Sequence, residues 1–353
     1  MPDDLPRIPN KRRPRNRPRN DAWLQQKQTA YRPIYTFRCA LPIVLIYACI
    51  CIGISIALYK NTLNSFEFVL DYTECHNSMD PNISHYFEGE TLFCRYELTL
   101  PEVVGDVFFY YGLRNFYQNI RKYEQSRNDR QLAGHIFETD ECYPLTTANK
   151  TGSPPIVIVP CGAVANSMFN DTFVMSYHIP EKEKIQSVPM TANKLIPNNV
   201  RNVKYKNPKK CTDEDKKCPG FEGTTKPPSW RVPIEELGNN DTGRALENFD
   251  FIQWMETAAL PNFRKLYRKL DQLPGGIFAD GLPYGNYTLY VQYNYNVSVW
   301  SGTKLFVIQA DGKLGPKSFF QMYAFFGLGS FLFLFGCFML LVEFGPPFNR
   351  KLS

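Results

Sequence analysis

Histidine is scarce in this sequence, with four in 353 residues, and the usual metal and nucleotide signatures are missing. No C-x-x-C pair and no H-E-x-x-H segment occurs, so a zinc site has no ligand set to build on. There is no G-x-S-x-G, no P-loop, and no G-x-G-x-x-G after a strand. Those absences remove the ordinary grounds for a serine hydrolase, a nucleotide hydrolase or a dinucleotide enzyme. Paired acids such as Asp140/Glu141 and Glu235/Glu236 are common surface features. The expectation is a chain that is not an enzyme and that carries no metal and no cofactor.

Charge is missing from two long runs. Cys39–Tyr59 and Ser318–Val342 contain no Asp, Glu, Lys, Arg or His. At ~1.5 Å per residue the first measures about 31 Å, one hydrocarbon core, and the second is long enough to span with some tilt. Such runs exclude a wholly soluble protein. Two spans are too few for a multi-helix carrier, and an ion or headgroup path needs polar groups that these spans lack. They read as anchors. Pro42 falls near the start of the first span, where it costs little. Cys49, Gly53 and Ala57, four apart, form a small-residue stripe that permits close helix contact, with chance small residues as the competing reading. A cleaved signal peptide is the rival for the first run, but its apolar core is usually only about 7–15 residues.

The net charge of +6 is unevenly placed. Residues 1–38 carry ten Lys or Arg against three acids, and the rest of the chain carries thirty against thirty-one. A basic, proline-rich arm fits nucleic acid in isolation. Followed directly by an apolar run, it reads as a cytosolic membrane-side tail, and no nucleic-acid partner is expected. The positive-inside rule places the amino terminus in the cytosol, and two spans return the carboxyl terminus there. The expected organisation is a cytosolic tail over 1–38, a first span over 39–59, a lumenal or extracellular domain over 60–317, a second span over 318–342 and a cytosolic tail over 343–353.

Six of the ten cysteines lie outside the spans. An even number in an oxidising compartment reads as three disulfides. Six cysteines allow 15 pairings, of which we expect the nearest-neighbour set: Cys75–Cys94, Cys142–Cys161 and Cys211–Cys218. The first two would close loops of about 20 residues, each worth roughly 3 kcal/mol in the chain-entropy model. Sequons at Asn82, Asn149, Asn170, Asn240, Asn286 and Asn296 all fall in the segment placed outside, and are expected glycosylation sites.

Aromatic and proline content is high, with 27 Phe, 21 Tyr and 27 Pro. Strand-like segments recur at Phe66–Thr73, Thr91–Leu100, Ile156–Val159 and Thr172–Ile179. Tyr287–Val299 alternates with period two and should bury its odd positions. Ser301-Gly302 should turn it into Thr303–Gln309 as a hairpin. Antiparallel strands of this spacing suggest a sandwich. Two segments read as helices. Leu113–Tyr123 is aromatic and basic. Asp250–Leu270 places Phe263, Leu266, Tyr267 and Leu270 on one stripe, with Arg264, Lys265, Arg268 and Lys269 opposite. Asn198–Ser229, rich in Lys, Pro and Gly, reads as a long loop.

Four stretches together carry a resemblance: Tyr110–Gly134 (YYGLRNFYQNIRKYEQSRNDRQLAG), Pro160–Thr172 (PCGAVANSMFNDT), Gly223–Trp230 (GTTKPPSW) and Asp250–Leu270 (DFIQWMETAALPNFRKLYRKL). The chain resembles the cell-division-control protein 50 family, also called the ligand-effect modulator or transmembrane protein 30 family, over most of residues 30–345. That family supplies the accessory β-subunits of type IV P-type ATPases, the phospholipid flippases. The resemblance implies two transmembrane helices around a large lumenal antiparallel β-sandwich with helical insertions. The partner it implies is the catalytic ATPase subunit, held in a heterodimer among membrane lipids, and the process is aminophospholipid translocation and membrane asymmetry. It also implies a chaperone role in exit from the endoplasmic reticulum toward Golgi, endosomes and plasma membrane. Cys142 and Cys161 match a family disulfide, and Asn170 matches a family glycan site. Many relatives carry four cysteines near Cys75 and Cys94, where this chain has two; Cys211 and Cys218 lie outside the common pattern. Tyr111, Arg114, Phe116 and Tyr117 are candidates for the partner surface, with core packing of the rings as the alternative. The other functional readings are a two-span receptor or adhesion glycoprotein, and a lumenal enzyme.

Overall fold

The computed structural model describes residues 21–28, 36–75, 83–88, 91–149, 154–180, 184–209 and 218–344. Three helices longer than one turn and a half are α1 (Phe37–Asn64), α2 (Phe249–Met255) and α3 (Phe319–Phe344). Both α1 and α3 are long and apolar enough to cross a membrane. The protein is an integral membrane protein with a β-rich domain between the two helices.

Among the described residues, ten strands make the two large sheets of that domain: β1 (Phe66–Asp71), β2 (Ile83–Glu88), β3 (Thr91–Leu100), β4 (Val107–Arg114), β5 (Thr172–Ile179), β6 (Lys184–Ser187), β7 (Met190–Thr191), β8 (Phe263–Leu270), β9 (Gly285–Tyr293) and β10 (Thr303–Ala310). They form two five-stranded sheets, β1-β10-β4-β8-β7 and β2-β3-β9-β5-β6, with every neighbouring pair antiparallel.

Period-two patterning explains the second sheet. Cys94, Tyr96, Leu98 and Leu100 of β3 are buried, as are Tyr287, Leu289 and Val291 of β9 and Phe173, Met175 and Tyr177 of β5. The register aligns them: Leu289 lies opposite Tyr96 and Met175, and Val291 opposite Cys94 and Phe173. In the first sheet, Phe109 and Tyr111 of β4 lie opposite Ile308 and Phe306 of β10. The two sheets share one core. The Phe173 ring of the second sheet lies 4.8 Å from Phe306 and 5.1 Å from Tyr267 of the first. Burying each such ring contributes roughly 1.5–3 kcal/mol.

Several expected elements differ. The strand expected over Tyr287–Val299 ends at Tyr293. There Asp171 Oδ1 accepts the N–H groups of Asn294 and Tyr295 at 2.6 and 2.7 Å, which draws the chain out of the sheet. Thr288, on the face expected to be wet, is buried with its hydroxyl 2.6 Å from His178 Nε2. The hairpin expected at Ser301-Gly302 is a crossover, because β9 belongs to one sheet and β10 to the other.

Neither expected helix holds over its full length. Leu113 and Arg114 end β4, and only Arg121–Glu124 of the first segment is helical. In the second, α2 stops at Met255 and Phe263–Leu270 is β8. A β-bulge between Leu266 and Arg268 explains the misreading. One extra residue in a period-two strand brings Phe263, Tyr267 and Leu270 toward the same side, the spacing that a helix would also give. Lys265, expected on the face opposite the apolar stripe, is buried. Asn198–Ser229, expected as loop, contains a π-helical turn at Val200–Lys204, a 3-10 turn at Pro219–Phe221 and the short strand Thr224–Thr225, parallel to Val157–Ile158.

The small-residue stripe of α1 is not where the two long helices touch. Cys49, Gly53 and Ala57 are exposed. Close approach uses glycines of α3 instead: a Cβ at Gly329 would lie 3.2 Å from Ala48 O, and one at Gly336 would lie 2.7 Å from Leu45 Cδ2. Pro42 is the sixth residue of α1, beyond the first four N–H groups that lack an acceptor anyway, so it removes one helical hydrogen bond.

Candidate functional site

The four stretches quoted above converge on the short helix Ala163–Asn166. From the first stretch, Ser126 Oγ accepts the Ala163 N–H at 2.9 Å and donates to Tyr143 O at 3.0 Å. Gln131 Oε1 accepts the Cys161 N–H at 2.8 Å, while its Nε2 donates to Ile136 O and Ile158 O. Asn128 caps the turn that carries Gln131. From the third and fourth stretches, two indoles reach the same helix. Trp230 Nε1 donates to Ala165 O at 2.8 Å and Trp254 Nε1 to Val164 O at 2.7 Å. A four-residue helix cannot satisfy its own carbonyls, so these side chains complete it. Gly162 enters the knot at φ 95°, and a Cβ there would lie 2.0 Å from Ser126 O, so only glycine fits. The Cys142–Cys161 disulfide, with Cα atoms 5.6 Å apart, closes the same region.

Beside this knot the sandwich interior holds two buried cations. Lys304 Nζ donates to Asp171 Oδ2 and to Tyr295 O, each at 2.7 Å, with both charged side chains fully buried. Tyr72 donates to the same carboxylate at 3.0 Å. Burial lowers the Lys304 ammonium to about 8, and the Asp171 carboxylate opposes that shift. Lys265 donates to the carbonyls of Gln253, Trp254 and Glu256 at the end of α2. A cation there complements the helix dipole. Burial lowers Lys265 to about 7. Such a shift is found in nucleophilic lysines, but all three ammonium protons here are committed to carbonyls. The arrangement is a brace, not a reaction centre. Sequence reading passed over Lys304, although its parity with Phe306 and Ile308 in the expected strand Thr303–Gln309 was the available signal.

Several tyrosines share this interior. Burial holds the Tyr72 and Tyr111 phenols well above the usual value, and neighbouring carboxylates add to the effect. A folded value above the unfolded one contributes stability that is complete below about pH 10 and is lost as pH rises beyond it. Alkaline titration should therefore show part of the phenolate absorbance appearing only together with unfolding. Complete ionisation of every tyrosine in the folded protein would contradict this packing.

The four residues expected on a partner surface separate into two pairs. Tyr111 is buried and stacks on Phe169 at 4.1 Å. Phe116 packs among Tyr123, Trp254, Phe263 and Trp300. Both rings are core, as strand parity at 111 and the aromatic cluster at 116 require. Arg114 and Tyr117 are exposed. They sit on a cluster of three loops tied together by side chains. Asn115 Nδ2 donates to Trp300 O, Asn119 Nδ2 to Ala259 O, and the Asn115 N–H to Asn262 Oδ1. The same loops expose Tyr117, Ile120, Leu260 and Val299.

Cys75 is bonded to Cys94. Cys218 is disulfide-bonded, and its expected partner Cys211 lies outside the described residues, as does the sequon Asn82. Asn149, Asn170, Asn240, Asn286 and Asn296 are exposed. Asn286 lies on β9, whereas Asn296 lies in the crossover beyond it. Among the described residues no group of three or more His, Cys, Asp or Glu is placed to hold a metal ion.

A model of the LEM3 (ligand-effect modulator 3) family / CDC50 family matches residues 58–348. Cell cycle control protein 50A of Bos taurus is 35% identical over 338 residues, covering 93% of this chain and 89% of that protein. Cell cycle control protein 50B of Homo sapiens is 34% identical over 337 residues, covering 93% of each. The Saccharomyces cerevisiae protein named phospholipid-transporting ATPase accessory subunit CRF1 is 30% identical over 336 residues, covering 85% of this chain and 78% of its own length. The family match takes in the last turns of α1, both sheets, the knot at Ala163–Asn166 and α3, and the chain belongs to the LEM3/CDC50 family.

Proposed function

We propose that this chain is the non-catalytic accessory subunit of a phospholipid-flipping P-type ATPase, needed for folding, export and activity of the catalytic subunit. The observation that carries the reading is the similarity, over most of the chain, to a yeast protein named as such a subunit. The chemistry agrees. The buried lysines are spent on structure, and α1 and α3 present no charged path through their apolar lengths. In this reading residues 60–317 face the lumen or cell exterior, both termini are cytosolic, and the bounds 39–59 and 318–342 mark the spans. The basic tail, exposed sequons and disulfides support that orientation. The protein passes from the endoplasmic reticulum to later membranes with its partner.

The loop cluster exposing Tyr117, Leu260 and Val299 beside Arg114 is the docking surface we favour, because apolar anchors next to Arg dominate protein interfaces. Extraction in mild detergent should bring down a P-type ATPase in near-stoichiometric amount. Tyr117→Ala combined with Leu260→Ala should reduce that recovery while the chain stays folded. Recovery of the chain alone, with no ATPase at any detergent strength, would overturn the proposal.

A further inference from the structure

A cavity of about 290 Å³ opens between Asn170 and the segment Ser229–Val232. Its lining includes the rings of Tyr111, Phe169, Trp230 and Tyr267. Tyr111 is only 4% exposed, and its hydroxyl has no hydrogen-bond partner among the described residues. Tyr267 accepts the Phe173 N–H at 3.2 Å, which leaves its own O–H proton to give. Neither phenol oxygen is sealed off without a partner, so both hydroxyls open onto the cavity with protons to give to whatever fills it.

The charges around this cavity are largely cancelled. Arg268 is held by Asp250 through two contacts, at 2.6 and 2.9 Å, and Asp171 is held by Lys304. An anion such as a phosphate finds no buried free cation here. The space is on the order of ten waters' worth, below the ~300–1,000 Å³ of drug-sized pockets. It is too small for a peptide or a whole lipid. A flat apolar face with hydroxyl and amide groups around its edge suits these walls, and that is the chemistry of an amino sugar.

The sequon asparagine itself stands at the rim. Asn170 lines the cavity, is exposed, and its side-chain amide bonds no described residue, while its carbonyl accepts from Asn294 Nδ2 at 3.0 Å. We infer that this cavity is the seat of the first N-acetylglucosamine of a glycan on Asn170, so that the sugar packs into the sandwich as an added core residue. The inference rests on the outward orientation of residues 60–317 proposed above. A covalent tether at the rim supplies a high effective concentration, so modest contacts suffice to keep the sugar seated. The other exposed sequons, Asn149, Asn240, Asn286 and Asn296, do not line this cavity.

The test uses the full chain, co-expressed with its ATPase in a eukaryotic cell and kept folded in detergent. Site-resolved mass spectrometry follows release of each glycan by peptide N-glycanase without denaturant. Release at Asn170 should be at least tenfold slower than at Asn286. Tyr111→Phe removes a hydroxyl that has no protein partner to lose, and should speed release at Asn170 several-fold without speeding it at Asn286. The melting temperature of Tyr111→Phe relative to wild type should fall when Asn170 is glycosylated and should not fall in an Asn170→Gln background. Occupied Asn170 with release as fast as at Asn286, unaltered by Tyr111→Phe, overturns the seat alone. Occupancy at other sequons with Asn170 bare overturns it too and leaves the orientation standing. No occupancy at any sequon overturns both.

Discussion

Lys304→Met should destabilise the β-rich domain by roughly 3–5 kcal/mol, the usual result of stripping one partner from a buried ion pair. The substitution leaves the buried Asp171 carboxylate without a cation, with Tyr72 and two backbone N–H groups as its remaining partners. Lys304→Met with Asp171→Asn should recover most of the loss, because no unpaired charge remains and Asn retains an acceptor for those N–H groups. Asp171→Asn also keeps Asn170-x-Thr172 intact as a sequon. Denaturant unfolding of the full chain in detergent, followed by near-ultraviolet circular dichroism, reads both. Single and double variants of equal stability would show that charge pairing is not what the site requires.

Cys142→Ser should have the larger effect on the cell biology. Its bond to Cys161 closes a loop of about 20 residues, worth roughly 3 kcal/mol by chain entropy. The position matters as much. Both sulfurs are buried, and Cys161 hangs from Gln131 directly before Gly162 and the helix that Trp230 and Trp254 complete. Loosening that point loosens all four stretches at once, so the chain and its ATPase should be retained in the endoplasmic reticulum. Cys211→Ser should be milder. Its expected loop to Cys218 is shorter, which lowers the entropic gain by about 0.8 kcal/mol. Glycan maturation reports export for both variants, and the opposite ranking would refute the argument.

How much of this was legible depended on how many faces of each strand are covered. Thr91–Leu100 and Thr172–Ile179 were read with the bounds they have, because alternation survives where one face is wetter than the other. β4 runs Val-Phe-Phe-Tyr-Tyr-Gly-Leu-Arg, apolar or aromatic at nearly every position, so period two vanishes and its last residues read as the start of a helix. β8 kept its alternation but the bulge at Tyr267 shifted its phase. The crossover after Tyr293 needed Asp171, more than a hundred residues away, to draw the chain from the sheet. At the site, the four stretches could be quoted as a resemblance, but their reason is tertiary. Neither Trp230 nor Trp254 announces in sequence that it completes another segment's helix. The placement of Tyr111 and Phe116 in the core follows from partners, Phe169 and Trp300, that local spacing cannot reveal.

The position of β10 has a consequence for biosynthesis. This strand inserts between β1, the first to emerge from the ribosome, and β4, and it carries Lys304 to an Asp171 made 133 residues earlier. Until residues 303–310 leave the ribosome, the first sheet has a gap between β1 and β4, and the interior carboxylate of Asp171 has no cation. The domain cannot fold progressively from its amino end; it must wait, with open strand edges, for almost the whole chain. A nascent chain truncated before Thr303 therefore exposes strand edges and an unneutralised acid, and completing synthesis removes both at one stroke. Translation order thus ties completion of the shared core to the arrival of the strand that leads into the second long helix.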